Sequence, residues 1–141
     1  MTNQVGIIIV DHGSRLDASN KMLEELAGLF ARRFGAKYDV VEPAHMEIAE
    51  PSIATAFDAC VRRGAKHVIV CPYFLGPGKH WTQDIPRLTE EAATKHPGVK
   101  YQIAPTLGID DLMLDLLDKR VQQSVGCKDE SGSGNEAVRA R

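Results

Sequence analysis

The amino-acid sequence predicts a single α/β domain, a four-stranded parallel sheet with helices on both faces. Three observations predict it. Short apolar runs rich in β-branched residues recur along the chain, amphipathic helical periods follow them, and turns containing Gly or Pro separate the units. Strands that alternate with helices join through right-handed crossovers, and strands covered on both faces lack polar alternation.

Val5-Gly6-Ile7-Ile8-Ile9-Val10 is the first such run, and the polar turn Asp11-His12-Gly13-Ser14-Arg15 ends it. Met22, Leu23, Leu26, Leu29, Phe30 and Phe34 then recur at helical spacing. Arg32 and Arg33 suit the negative end of that helix dipole, and Gly35 suits a left-handed cap. Tyr38 to Val41 reads as the second strand and leads into Glu42-Pro43-Ala44-His45-Met46-Glu47. Pro51 suits the first turn of a helix carrying Ile53, Phe57, Cys60 and Val61, which Arg62-Arg63-Gly64 closes. His67 to Cys71 is a third buried strand, followed by a Gly/Pro-rich loop from Pro72 to Trp81. Pro86 suits the start of the third helix and Pro97-Gly98 its stop. Val99 to Ile103 reads as the fourth strand, Pro105-Thr106-Leu107-Gly108 as its exit loop and Ile109 to Gln123 as the last helix. The folded domain is expected over residues 1–124. Residues 125–141 are polar and rich in Gly and Ser, bury too little apolar area to offset their ordering entropy, and are expected to form a disordered tail.

Composition narrows the function. Of 141 residues, 43% are hydrophobic and 26% charged, which suits one globular domain. Nineteen acidic residues against 17 basic ones give a net charge of −2, without the cationic excess that nucleic acids or anionic membranes attract. The longest apolar run, Val5 to Val10, is far short of the ~20 residues of a membrane span, and no signal peptide is visible. Three widely spaced cysteines, Cys60, Cys71 and Cys127, argue against a disulfide framework and for a reducing compartment, so the expected location is cytoplasmic.

In open parallel sheets ligands bind beyond the carboxyl ends of the strands. His12 follows the first strand, His45 and Glu47 the second, His80 the third and Thr106 the fourth. The opposite edge carries Gly35-Ala36-Lys37, Gly64-Ala65-Lys66 and Pro97-Gly98, which are turn chemistry. Potential metal ligands therefore collect where a ligand belongs. His12 and His80 are the leading candidates. Gly13 would let a substrate approach the backbone, and Asp11 and Ser14 are placed to fix the His12 tautomer. Glu47 reads equally as a ligand, a proton acceptor or a solvated charge. His45, beside Met46 and Pro43, suits a partly buried loop, while His67 and His96 suit structural positions. Nucleotide-phosphate motifs, a G-x-S-x-G elbow and C-x-x-C pairs are missing, and Cys60 and Cys71 read as core.

Three motifs together resemble one family: Asp-His-Gly-Ser-Arg from Asp11, Pro-Ala-His-Met-Glu-Ile-Ala-Glu-Pro-Ser-Ile from Pro43, and Phe-Leu-Gly-Pro-Gly-Lys-His-Trp-Thr-Gln-Asp-Ile-Pro from Phe74. They are similar to those of the small single-domain sirohydrochlorin chelatases, closest to the iron-inserting branch of plants and related organisms, and the likeness runs from about Val5 to Val121. The resemblance implies ATP-independent insertion of a divalent metal, Fe²⁺ or Co²⁺, into sirohydrochlorin. It implies that His12 and His80 hold the metal and that Glu47 completes the catalytic set. The substrate is a polycarboxylate, so Arg15 and Lys79, which adjoin the histidines, are the candidate cationic contacts, with Trp81 a candidate for the macrocycle. Longer relatives contain two such halves, so a homodimer enclosing the ring is implied, with plastid stroma as the compartment in a plant or alga. Plant-type members carry a cysteine-rich tail holding an iron–sulfur cluster. Cys127 stands alone in this tail, so no permanently bound cofactor is expected. Cobalt insertion for cobalamin synthesis and a non-catalytic metal or tetrapyrrole carrier are the alternatives. A histidine phosphatase is disfavoured, because Asp11 stands where such enzymes place a phosphate-gripping arginine.

Overall fold

In a computed structural model, which describes residues 4–131 and only the backbone of residues 80 and 127–131, strands and helices alternate throughout. The strands are β1 (Val5–Asp11), β2 (Val40–His45), β3 (His67–Pro72) and β4 (Lys100–Ile103). The helices are α1 (Asp17–Phe34), α2 (Ile53–Arg62), α3 (Lys79–Ala93) and α4 (Asp111–Ser131). All strand pairs are parallel, in the order β2-β1-β3-β4. The predicted α/β architecture is therefore what the chain adopts.

β1 is central and buried from Gly6 to Val10, and its alternate side chains feed two cores. Ile7 and Ile9 pack with Leu23 and Ala27 of α1 on one face. Ile8 and Val10 pack on the other with Ile53, Phe57 and Cys60 of α2 and Ile85 and Ala92 of α3. Helices thus cover both faces, and burying side chains such as Phe57 contributes about 1.5–3 kcal/mol each. The chain divides after Leu107 into two units; the second contains α4, whose Leu112, Leu114, Leu116 and Leu117 are exposed.

Several boundaries differ from the sequence reading. β2 continues through Pro43 to His45 instead of stopping at Val41, because an edge strand tolerates a residue without an N–H. α2 is capped by Ser52, whose Oγ accepts from Thr55 N at 3.1 Å, so Pro51 lies before the helix and not in its first turn. α3 begins at Lys79, and Pro86 sits inside it. Gly35 is right-handed (φ −63°), so it is no left-handed cap, whereas Gly64 at φ +101° and Gly98 at φ +94° are left-handed. α4 runs to Ser131, past the expected tail start at residue 125, and residues 132–141 lie outside the described ones.

Candidate active site

The carboxyl edge of the sheet brings the ends of β1 and β2 together, and consecutive hydrogen bonds continue the pairing into their loops. Asp11 and His45 are register partners. Beyond them, Met46 N donates to Asp11 O at 2.8 Å and Glu47 N to His12 O at 3.1 Å. Gly13 makes this approach possible. It sits at φ +94°, and a Cβ there would lie 1.9 Å from the Glu47 carbonyl oxygen. The glycine makes room for Glu47, where the sequence reading had it making room for a substrate.

The ladder ends on a pair of side chains. His12 Nε2 lies 3.0 Å from Glu47 Oε2, with both side chains about half exposed. His12 Nδ1 lies 3.2 Å from the Gly13 carbonyl. Each ring nitrogen therefore faces an oxygen that only accepts. With Nδ1–H donating to Gly13 the Nε2 lone pair faces the carboxylate, whereas with Nε2–H donating to Glu47 the two groups form an ordinary hydrogen bond. In either tautomer an imidazole nitrogen and a carboxylate oxygen, two common ligand types for divalent ions, stand side by side.

Asp11 and Ser14 do not set the His12 tautomer. His45 Nδ1–H donates to Asp11 Oδ1 at 2.7 Å, and the His45 ring is completely buried at the end of β2, not half-buried in a loop. Its Nε2 has no partner among the described residues. Ser14 Oγ accepts from Leu16 N at 2.9 Å. Asn20 of α1 closes the turn from the other side, accepting from Ser14 N at 3.0 Å and donating to Ser14 O at 2.7 Å. Sequence reasoning missed both Asn20 and the Asp11–His45 pair. The parallel register, which sets the ends of neighbouring strands side by side, is the signal that finds the pair.

Glu47 is held from beyond as well. His45 N donates to Pro51 O at 2.8 Å, and Ala49 N donates to Glu47 O at 2.9 Å across Ile48, whose φ is +76°. This γ-turn places a β-branched residue in the left-handed region, a strain of about 1–3 kcal/mol that the surrounding bonds sustain.

The end of β3 is built differently. Trp81 stacks on Phe74 with centroids 4.4 Å apart and planes 3° from parallel, and its Nε1–H donates to Gly76 O at 3.0 Å. A Cβ on Gly78 would lie 2.1 Å from the Trp81 ring. Trp81 therefore shapes the loop, and it also lines a cavity of about 180 Å³ with Ile103 and Thr106. His80 is the second residue of α3. Arg15 and Lys79 are exposed and join no ion pair among the described residues.

The remaining candidates are structural. His67 opens β3, and His96 pairs with Asp58 and stacks on Phe57. Burial pushes the Cys60 thiol up to about 12, with Glu42 adding and Arg63 opposing, and burial raises Cys71 too. Burial thus favours the neutral form of both thiols, and both pack with the hydrophobic cores. Among the described residues no three His, Cys, Asp or Glu side chains converge as a metal centre. What forms is a half-exposed histidine–carboxylate pair.

A parallel α/β sheet with an imidazole and a carboxylate paired at its carboxyl edge presents both groups where open α/β sheets bind ligands. Residues 6–124 match the CbiX family model, and the chain belongs to that family. It is 55% identical over 117 residues to a protein of Arabidopsis thaliana named sirohydrochlorin ferrochelatase, chloroplastic, covering 83% of this chain and 51% of that one. It is 33% identical over 134 residues to the sirohydrochlorin cobaltochelatase of Methanosarcina barkeri, covering 89% of this chain and 100% of that one. The sirohydrochlorin chelatase SirB of Bacillus subtilis subspecies spizizenii, solved in complex with cobalt, superposes with a TM-score of 0.71 at 31% identity, covering 87% of this chain and 51% of that one. The chain thus spans about half the length of the plant and Bacillus relatives and the full length of the archaeal one.

Proposed function

We propose that the chain is a sirohydrochlorin metal chelatase that inserts Fe²⁺ to give sirohaem, without ATP. The observation that carries this reading is the pairing of His12 Nε2 with Glu47 Oε2 at 3.0 Å, a nitrogen and an oxygen ligand side by side at the carboxyl edge of the sheet. Metallation needs an ion held by ligands weak enough to release it, and groups that take up the pyrrole protons as it enters the ring. An imidazole and a carboxylate, both half exposed, serve both ends. His12 and His80 are assigned to hold the metal, and Glu47 to balance its charge and accept a proton. Arg15 and Lys79, which join no ion pair among the described residues and lie near the two histidines in sequence, are assigned to the substrate carboxylates, and Trp81 to the macrocycle edge through the face it keeps toward the β4 exit loop.

Residues 1–124 carry the activity, and a homodimer supplies the second half that encloses the ring. Relatives that this chain covers over only about half of their length support that arrangement. The metal is substrate, and no permanent cofactor is assigned. Cys127 lies among the residues whose side chains are outside the description. A reducing interior suits the free Cys60 and Cys71, with the plastid stroma as the compartment if the source is a plant or alga. No described helix is long and apolar enough to cross a membrane.

Cobalt insertion is the second reading, favoured by the full-length match to a cobaltochelatase and by nitrogen–oxygen ligands that bind cobalt(II) at least as tightly as iron(II). The test is an anaerobic assay of sirohydrochlorin with Fe²⁺, Co²⁺ and Ni²⁺ offered separately, followed by the ring's visible absorption. Multiple turnovers above the spontaneous rate, abolished by His12→Ala and by His80→Ala, are expected. Stoichiometric binding without turnover would replace the enzyme by a carrier.

A further inference from the structure

The proposed chemistry has no use for His45, yet this ring is completely buried, with Nδ1 on Asp11 and Nε2 without a partner among the described residues. For stability alone, an apolar ring of similar size would suit such a place better. What histidine does there, and an apolar ring does not, is reach Asp11. Asp11 immediately precedes His12, and His45 stands two residues before Glu47. The pair is therefore a side-chain rung directly behind the His12–Glu47 rung, tying together the same two segments. One of those segments is under tension, because the left-handed Ile48 follows Glu47 at once. Released from the rung, that turn relaxes and carries the carboxylate away from the imidazole.

We infer that the Asp11–His45 pair is a positioning device that preforms the metal-binding couple, holding Glu47 at bonding distance from His12 before any ion arrives. Neither residue touches the metal or the macrocycle; both act through Glu47. The inference rests on the chelatase reading for its kinetic test but not for its binding test.

The experiment is a double-mutant cycle of His45→Phe with Glu47→Gln. It is read as affinity for Co²⁺ alone, from the metal's visible absorption, and as kcat and KM for sirohydrochlorin, with thermal midpoints recorded in parallel. His45→Phe is expected to lower Co²⁺ affinity and kcat about tenfold, the scale seen when groups supporting a ligand are removed, with KM for sirohydrochlorin changed less than about twofold. In the Glu47→Gln background the same substitution should cost nothing further. His45→Asn, whose amide N–H stands in for Nδ1–H, should recover most of the loss. Unchanged Co²⁺ affinity in folded His45→Phe, a loss that adds in full to that of Glu47→Gln, or absence of rescue by Asn would each overturn the inference. Should His45→Phe not fold, Asp11→Ala removes the rung from the other side and enters the same cycle. If the wild type binds Co²⁺ but does not metallate sirohydrochlorin, the chelatase reading falls while the binding cycle still decides the positioning.

Discussion

The two corners of the sheet edge that flank the candidate site are built on different physics. At the β1–β2 corner, hydrogen bonds join successive residues of two segments, from Asp11–His45 to Glu47–His12, so individual polar atoms are paired one to one. At the β3–α3 corner, one indole lies flat on Phe74 and over Gly78, with a single hydrogen bond to Gly76 O, so a surface is fixed more firmly than any one polar atom. The first arrangement places individual polar atoms, and the second presents a flat apolar surface. A small displacement should therefore reach the chemistry in full at the first corner and be absorbed as stability at the second.

The largest expected effect comes from breaking the first corner at its tightest point. Gly13→Ala places a methyl group 1.9 Å from the Glu47 carbonyl and an L side chain at φ +94°. The Glu47 segment must move back, and a displacement on the order of 1 Å at a catalytic group costs about 10²-fold in rate. We expect chelatase kcat to fall at least that far while the sheet, judged by far-UV circular dichroism, persists. Activity within about threefold of wild type would mean that the His12–Glu47 distance does not govern the reaction.

Gly78→Ser attacks the second corner and should act with the opposite balance. Gly78 is the N-cap of α3 and has no side chain to cap it, so a serine there is ordinarily favourable. Here its Cβ would lie 2.1 Å from the Trp81 ring, and the stack on Phe74 would have to open. Overpacking of this kind costs about 1–3 kcal/mol, so the thermal midpoint should fall by several degrees, with KM for sirohydrochlorin changing more than kcat. A raised midpoint would show that the capping bond outweighs the stack.

These corners also mark how far the sequence could be read. The strand–helix alternation was legible because buried strands such as Gly6–Val10 and the α1 stripe at Leu23, Leu26 and Phe30 carry their periods openly. His12 and Glu47 were legible as occupants of strand ends, a rule of topology that needs no coordinates. Their contact was not, since it depends on which two strands are neighbours and in what register. The same gap hid His45, whose partner Asp11 lies 34 positions away. Prolines misled where tertiary context overrode local preference: Pro43 sits in an edge strand, Pro51 ahead of a serine cap, and Pro86 inside a helix. The role of Gly13 was half legible. Its sequence neighbours showed that something approaches its backbone, and only the fold shows that the visitor is Glu47.

The smallest expected effect tests whether the precision of the first corner belongs to its hydrogen-bond ladder or to the helix that follows. Ser52 caps α2, accepting from Thr55 N, and its backbone also bridges to His45. Ser52→Ala removes the side-chain cap and leaves the backbone bridge in place. Losing an N-cap of this kind costs about 1 kcal/mol, a shift of a few degrees in thermal midpoint. If the ladder alone positions Glu47, the variant should lose that stability and keep kcat within about twofold of wild type. A kcat loss well beyond twofold in the folded protein would extend the positioning apparatus into α2. It would also mean that the tension at Ile48 is held from the helix side as well as by Asp11 and His45.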